Sequence, residues 1–194
     1  MQKTKKNIIL TITGASGSIY AKQLIASFQK HSSQIEKIAV VFSDNALDIW
    51  EHEIGKLNIN KFPFEIFDKK DFNAPFASGS SKFETQIIAP CSVGILGRIA
   101  NGISDDLITR SADVILKERR KLILLIRETP FNLIHIENMR SITLAGGIIC
   151  PAIPSFYSKP QTIEQLTQTV VDRILDLAGF EIDTFRWNEK NDEL

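Results

Sequence analysis

Ile8-Ile9-Leu10-Thr11-Ile12-Thr13-Gly14-Ala15-Ser16-Gly17 is the stretch that decides the fold. Its first six residues are β-branched or aliphatic without alternation, the pattern of a strand buried on both faces. Gly14-Ala15-Ser16-Gly17 breaks that strand. From Ser18 to about Lys30 the chain reads as a helix, with Ile19, Leu24, Ile25 and Phe28 along one side. A doubly buried strand that feeds a helix through a tight turn is the opening of a β-α-β crossover, so a parallel sheet with helices on both faces is expected.

The rest of the chain repeats this alternation. Ile38-Ala39-Val40-Val41-Phe42 reads as a second strand, and Ser43-Asp44-Asn45 is placed to cap a helix through Leu47, Ile49 and Trp50 towards Gly55. Phe64-Glu65-Ile66-Phe67 is a short strand. Residues 69–83, with Pro75 and Ser78-Gly79-Ser80-Ser81, read as a loop; nothing in the sequence decides whether it is a mobile lid. Gln86-Ile87-Ile88-Ala89 is a strand stopped by Pro90. Two helices follow, 91–103 and 105–118, and then the strand Leu122-Ile123-Leu124-Leu125-Ile126. A helix over 132–145 ends at Gly146-Gly147, before a last strand Ile148-Ile149-Cys150. Thr162-Ile163-Glu164-Gln165 has the capping-box form and starts a helix that Gly179 stops. The expectation is one α/β domain over 1–194, three layers around a mainly parallel sheet, with a polar tail from about 183.

Composition narrows the partners. Lys plus Arg and Asp plus Glu number 23 each, so bulk charge points to neither nucleic acid nor an acidic membrane, and any anion must be bound locally. The apolar stretch after the basic start is broken by Thr11, Thr13 and Gly14, too short and polar for a signal peptide or a membrane span. Cys91 and Cys150 form neither a disulfide framework nor a metal cluster and read as reduced buried thiols. His31, His52 and His135 lack metal-ligand spacing, so no metal site is expected. A soluble, cytoplasmic protein is the expectation.

Ligands of such folds sit where the strands end. Gly14-Ala15-Ser16-Gly17 opens a helix whose free N–H groups suit a phosphate, with Ser16 adding a hydroxyl. The spacing is not G-x-G-x-x-G, which favours a mononucleotide over a dinucleotide, although a plain tight turn has the same form. In Pro90-Cys91-Ser92-Val93-Gly94, Ser92 can cap the next helix, bind a ligand, or both. Arg127 can neutralise a phosphate or a flavin carbonyl, and Glu128 is the natural acid or base; a surface ion pair is the plainer alternative. Tyr157, in the rigid loop 151–160, can donate to a phosphate or be a buried, satisfied tyrosine. Arg173 beside the last apolar stripe can simply snorkel to solvent.

Taken together, Ile12-Thr-Gly-Ala-Ser-Gly17, Pro90-Cys-Ser92, the run from Arg110 through Lys117 to Arg120, Arg127-Glu-Thr-Pro130, His135-Ile-Glu-Asn-Met139 and Pro151-Ala-Ile-Pro-Ser-Phe-Tyr157 resemble the UbiX-type flavin prenyltransferases over roughly residues 8–187. The resemblance implies a Rossmann-like or flavodoxin-like fold and a metal-free reaction. Reduced FMN is alkylated by dimethylallyl phosphate at N5 and then C6, and the prenylated FMN product serves a partner decarboxylase of the ubiquinone or aromatic-acid type. It implies FMN binding by Gly14, Ala15, Ser16, Ser43, Ser92, Val93, Gly94, Ile95 and Arg127, and prenyl-phosphate binding by Lys117, Tyr157 and Arg173. It further implies Glu128, Ser16 and Glu53 as the catalytic set, with Glu53 near a neighbouring subunit's phosphate, and a homo-oligomer, a dodecamer in the family. Ile95 departs from the family's usual Thr, which removes one side-chain hydrogen bond to flavin. Two other functions share these features: a flavin-dependent peptidyl-cysteine-type decarboxylase and a non-catalytic flavin carrier. The first lacks a catalytic His that can be placed here. The second would not need Lys117, Glu128, Tyr157 and Arg173 together.

Overall fold

The computed structural model describes residues 5–188; the first four residues of the basic start, and 189–194 of the polar tail, lie outside the described residues. One six-stranded sheet forms, with all pairs parallel and strand order β3-β2-β1-β4-β5-β6. Its strands are β1 (Lys6–Ile12), β2 (Ile35–Phe42), β3 (Glu65–Phe67), β4 (Thr85–Cys91), β5 (Lys121–Ile126) and β6 (Ile148–Pro151). This is the Rossmann-like doubly wound order, and it reverses direction between β1 and β4.

Alternation within the strands fills both faces. Ile8, Leu10 and Ile12 point into a core shared with α1 (Ser18–Lys30), α2 (Ala46–Ile54) and α6 (Ile163–Leu177). Ile9 faces the opposite core, built with α3 (Val93–Ala100), α4 (Leu107–Lys117) and α5 (Leu133–Leu144). The expected three-layer α/β fold is thus observed.

Three local expectations change. Pro90 does not stop β4: the strand continues to Cys91, which pairs with Ile126 across a register shift after Ile88. A proline without an N–H interrupts the ladder, and an irregularity lets the strand pass through it. Asn45 precedes α2 but makes no side-chain cap bond, and Asp44 turns instead to Lys69. The box at Thr162 is half formed: the Thr162 hydroxyl accepts the Gln165 N–H, while the Gln165 side-chain Oε1 accepts the Gln161 N–H, one residue early. Residues 69–83 fold down on the sheet. Phe76 is 1% exposed, the Arg110 Nε donates to the Ala77 carbonyl, and Arg120 donates to the carbonyls of Phe83 and Gly79.

Helix α5 is unlike the others: Ile142 is its only buried residue, and Leu133, Ile134 and Leu144 are about 70% exposed. No helix among the described residues is long and apolar enough to cross a membrane.

The loop's packing sets an expected outcome. Phe76→Ala should lower unfolding stability by about 3 kcal/mol or more, the cost of a large cavity in a closed core. Denaturant unfolding checks this, and a loss under about 1 kcal/mol would mean that the loop contributes little to that core.

Candidate functional site

The carboxyl ends of β1, β2, β4, β5 and β6 lie along one rim, which gathers Gly14, Ser43, Ser92, Arg127 and the loop carrying Tyr157. Gly14 has to be glycine, since a Cβ there would stand 2.6 Å from the Cβ of Asn45. Asn45 is therefore spent packing against the 14–17 loop rather than capping α2. Gly17 takes φ +117°, which turns the chain abruptly into α1.

Hydrogen bonds tie these loops into one circuit. The Thr13 hydroxyl donates to the Pro90 carbonyl at 2.7 Å and accepts the Ser92 N–H at 3.0 Å. The Arg127 N–H donates to the Cys91 carbonyl, and its Nε donates to the Ser16 carbonyl at 3.1 Å. The Ser43 N–H donates to the Ile12 carbonyl. Thr13 was quoted in the sequence only as part of a strand and a motif. Its threonine-before-glycine position at a strand end is the signal that could have drawn attention to it.

The N-terminus of α1 is already filled. Glu53, reaching over from α2, accepts the Gly17 N–H through both oxygens, at 3.1 and 3.0 Å, and the Ser18 N–H at 2.7 Å. Desolvation raises its pKa, but hydrogen bonds from the Ser16 hydroxyl, the Ser18 and Gly17 N–H groups and the Ser18 hydroxyl outweigh that and hold the carboxyl below its ordinary value of 4.5. The free N–H groups expected at the 14–17 turn are thus engaged by the protein's own carboxylate, which sequence could not show because Glu53 lies 36 residues away.

Helix α3 offers the contrasting terminus. Ser92 caps it by accepting the Ile95 N–H. Val93 and Gly94 occupy its first turn, where an N–H has no partner inside the helix. A cleft of about 370 Å³ opens here, whose lining includes Gly14, Ser43, Ser92, Gly94, Ile95 and Arg98, together with Asp44, which is paired with Lys69; a Cβ on Gly94 would meet nothing within 4 Å among the described residues. Ile95, where a hydroxyl was expected from the family, gives this cleft an apolar wall. Across the 14–17 loop a second cleft, about 420 Å³, is lined by Ser16, Lys22, Glu53 and Glu164.

Arg127 and Glu128 are half-buried at the end of β5, and Glu128 accepts the Thr129 N–H at 2.9 Å. Tyr157 is 65% exposed, not buried, and its ring lies 4.9 Å from Trp187 and 6.4 Å from Phe185. Arg173 is exposed on α6, near enough to Cys150 for its charge to offset part of the upward shift that burial gives that thiol. Lys117 is not brought to the rim. It ends α4, pairs with Glu118 and lies over Gly79. Strand β5 starts at Lys121, so the six-residue strand, roughly 20 Å long, separates this end from Arg127.

The chain matches the family model described as Flavoprotein over residues 1–175. It is 41% identical over 192 residues to the Flavin prenyltransferase UbiX of Methanothermobacter thermautotrophicus, covering 97% of this chain and 99% of that one. The chain belongs to the UbiX-type flavin prenyltransferases. Within this family, the crystal structure of AnUbiX in complex with FMN and dimethylallyl pyrophosphate superposes with a TM-score of 0.89, at 36% identity, covering 95% of this chain and 98% of that one. A dodecameric FMN-dependent UbiX-like decarboxylase from Escherichia coli O157:H7 superposes with a TM-score of 0.88, at 32% identity, covering 94% and 100%.

The Glu53 contact has a pH consequence. A carboxyl whose folded pKa is depressed adds stability above its ordinary pKa, and that stability is lost as pH falls through the folded value. Glu53→Gln should therefore lose less stability than the parent chain between about pH 6 and pH 3 in denaturant titrations. Equal acid sensitivity in both would mean that the carboxylate on α1 adds nothing.

Proposed function

We propose that this chain is a flavin prenyltransferase that moves the dimethylallyl group of dimethylallyl phosphate onto N5 and C6 of reduced FMN, in the cytoplasm, and passes the prenylated FMN to a partner decarboxylase. The observation that carries the proposal is the pair of clefts on either side of one loop. The 14–17 loop separates an N–H-bearing cleft at α3 from the Ser16 and Glu53 cleft at α1.

The first cleft suits FMN. The open approach to Gly94, the first-turn N–H groups of Val93 and Gly94, and the Ser43 and Ser92 hydroxyls are a donor set for a phosphate monoester. Gly14, Ala15 and Ile95 supply close backbone and an apolar wall. Reduced FMN supplies an electron-rich ring that captures an allylic cation. The residues around it do the rest. Arg127, held against the Ser16 carbonyl, brings a fixed cation to the loop between the clefts. Departure of phosphate from the prenyl group needs donors that are stronger for the leaving anion than for the ester. Ser16, Tyr157, Arg173 and Lys117 fill that role, with Glu53 orienting the Ser16 hydroxyl. The aromatic faces of Tyr157, Phe185 and Trp187 limit water near the cation. Glu128 handles the proton transfer of the ring-closing step, in which the prenyl double bond gains a proton, the new bond forms to C6, and C6 then loses its proton.

Lys117 cannot act in its own chain's cleft, so we assign it to the cleft of another copy in a homo-oligomer. The exposed Leu133, Ile134 and Leu144 of α5 support such an assembly, since monomers rarely leave so much apolar surface on one helix. The family match favours prenyl transfer over the cysteine-decarboxylase reading, and Glu128 at the rim speaks against a passive flavin carrier.

Anaerobic incubation with reduced FMN and dimethylallyl phosphate should give a flavin heavier by one dimethylallyl unit, with release of inorganic phosphate. Glu128→Ala should consume the prenyl donor yet stop short of the ring-closed flavin, as its absorption spectrum will reveal. An unaltered flavin from the parent chain would refute the function, and a normal ring-closed product from the variant would remove Glu128 from the chemistry. Co-assembly of Lys117→Ala subunits with Glu128→Ala subunits should recover activity that neither has alone. No recovery in proven mixed oligomers would confine Lys117 to a structural role.

A further inference from the structure

The crevice between β1 and β4, where the strand order reverses, is the natural ligand position of a doubly wound sheet, and it is also where this sheet's own ladder fails. Regular β1–β4 pairing ends at Thr11 with Ile88, because Pro90 has no N–H to give. One side chain takes over. Thr13, 2% exposed, donates its N–H and its hydroxyl to the Pro90 carbonyl, at 3.3 and 2.7 Å. The same hydroxyl oxygen accepts the Ser92 N–H at 3.0 Å. Ser92 then closes the first turn of α3, by accepting the Ile95 N–H with its hydroxyl and the Leu96 N–H with its carbonyl. Thr13 is itself one peptide bond from Gly14. One buried oxygen therefore carries the side-chain link between the 14–17 loop and the N-terminus of α3, the two sides of the first cleft.

We propose that Thr13 is a positioning residue of the flavin site: its hydroxyl holds the α3 terminus in register with the 14–17 loop, so that FMN can meet both at once. The role rests on FMN occupying this cleft, as proposed above. Valine in place of Thr13 keeps the side chain's shape and branching but removes both hydroxyl bonds. The Ser92 N–H is then left unmet beside the site. The helix terminus can shift against the loop, and the two halves of the cleft no longer fit one ligand.

The test compares the parent chain with Thr13→Ser, Thr13→Cys and Thr13→Val, each shown to be folded by circular dichroism at the temperature used. FMN dissociation constants are read by flavin fluorescence, together with the visible absorption of the bound flavin. The serine variant should bind within about twofold of the parent, and the valine variant about tenfold or more weaker with a changed flavin spectrum. Cysteine, a weak donor and acceptor, should fall between. A folded valine variant with parental affinity and spectrum overturns the proposal. So does a serine variant as weak as valine, because the lost methyl would then be the cause. Should the valine variant fail to fold, the serine and cysteine pair decides: weaker binding by cysteine supports the role, and equal binding overturns it. A parent chain that takes no FMN overturns both the function and the role, whereas tight parental binding with indifferent variants overturns the role of Thr13 alone.

Discussion

The Glu53 carboxylate sits on the amino terminus of α1, and the use of the whole rim depends on that contact. In a doubly wound sheet the first β-α turn is the usual seat for a ligand phosphate, because the helix there presents bare N–H groups and a partial positive charge. Here two of those groups, on Gly17 and Ser18, are met by a carboxylate from the neighbouring helix. A phosphate dianion placed on the same atoms would have to displace Glu53 or lie against it. At the terminus of α3, a Cβ on Gly94 would meet nothing within 4 Å among the described residues. One interaction thus leaves the α3 terminus as the one proposed for an anion, and sets beside it a polar cleft at α1 in which Ser16 is oriented by Glu53. Two substrates that each bear a phosphate can then occupy neighbouring places without competing for one terminus.

That division is useful only if the loops keep their spacing. Buried parallel strands stack well, but beyond the regular ladder their ends share only a few backbone bonds. The circuit from Thr13 to Pro90 and Ser92, and from Arg127 to Cys91 and Ser16, adds side-chain bonds to the few backbone bonds that remain at the strand ends.

The sheet was legible because its strands carry no alternation and its turns carry Gly, Ser or Pro. From Ile8 to Cys150 every strand was expected close to where it lies, and so were most rim residues, since ligand sites in this fold follow strand ends. The misses share a cause. Glu53 on α1, Asn45 against Gly14, and the docking of 69–83 are contacts between segments far apart in the chain, and local pattern carries no trace of them. Phe76 and Phe83, buried among the core residues, hold that loop down, although its Ser and Gly content says only that it is a loop. Pro90 was read by a local rule, that proline ends strands, which fails where an irregularity absorbs it. Lys117 was placed by motif alone, and only the antiparallel run of α4 reveals that it faces the other end of the sheet. Tyr157 was open to two readings, a phosphate donor or a buried, satisfied tyrosine; the ring is 65% exposed and lies beside Phe185 and Trp187 of the C-terminal segment.

The most direct measurement is a crystal structure of this chain with FMN bound. The phosphate should accept from the Val93 and Gly94 N–H groups at the start of α3, with the Glu53 carboxylate still on Gly17 and Ser18. A phosphate seated on Gly17 and Ser18, with Glu53 turned away, would contradict the division of the rim on which the proposed chemistry depends.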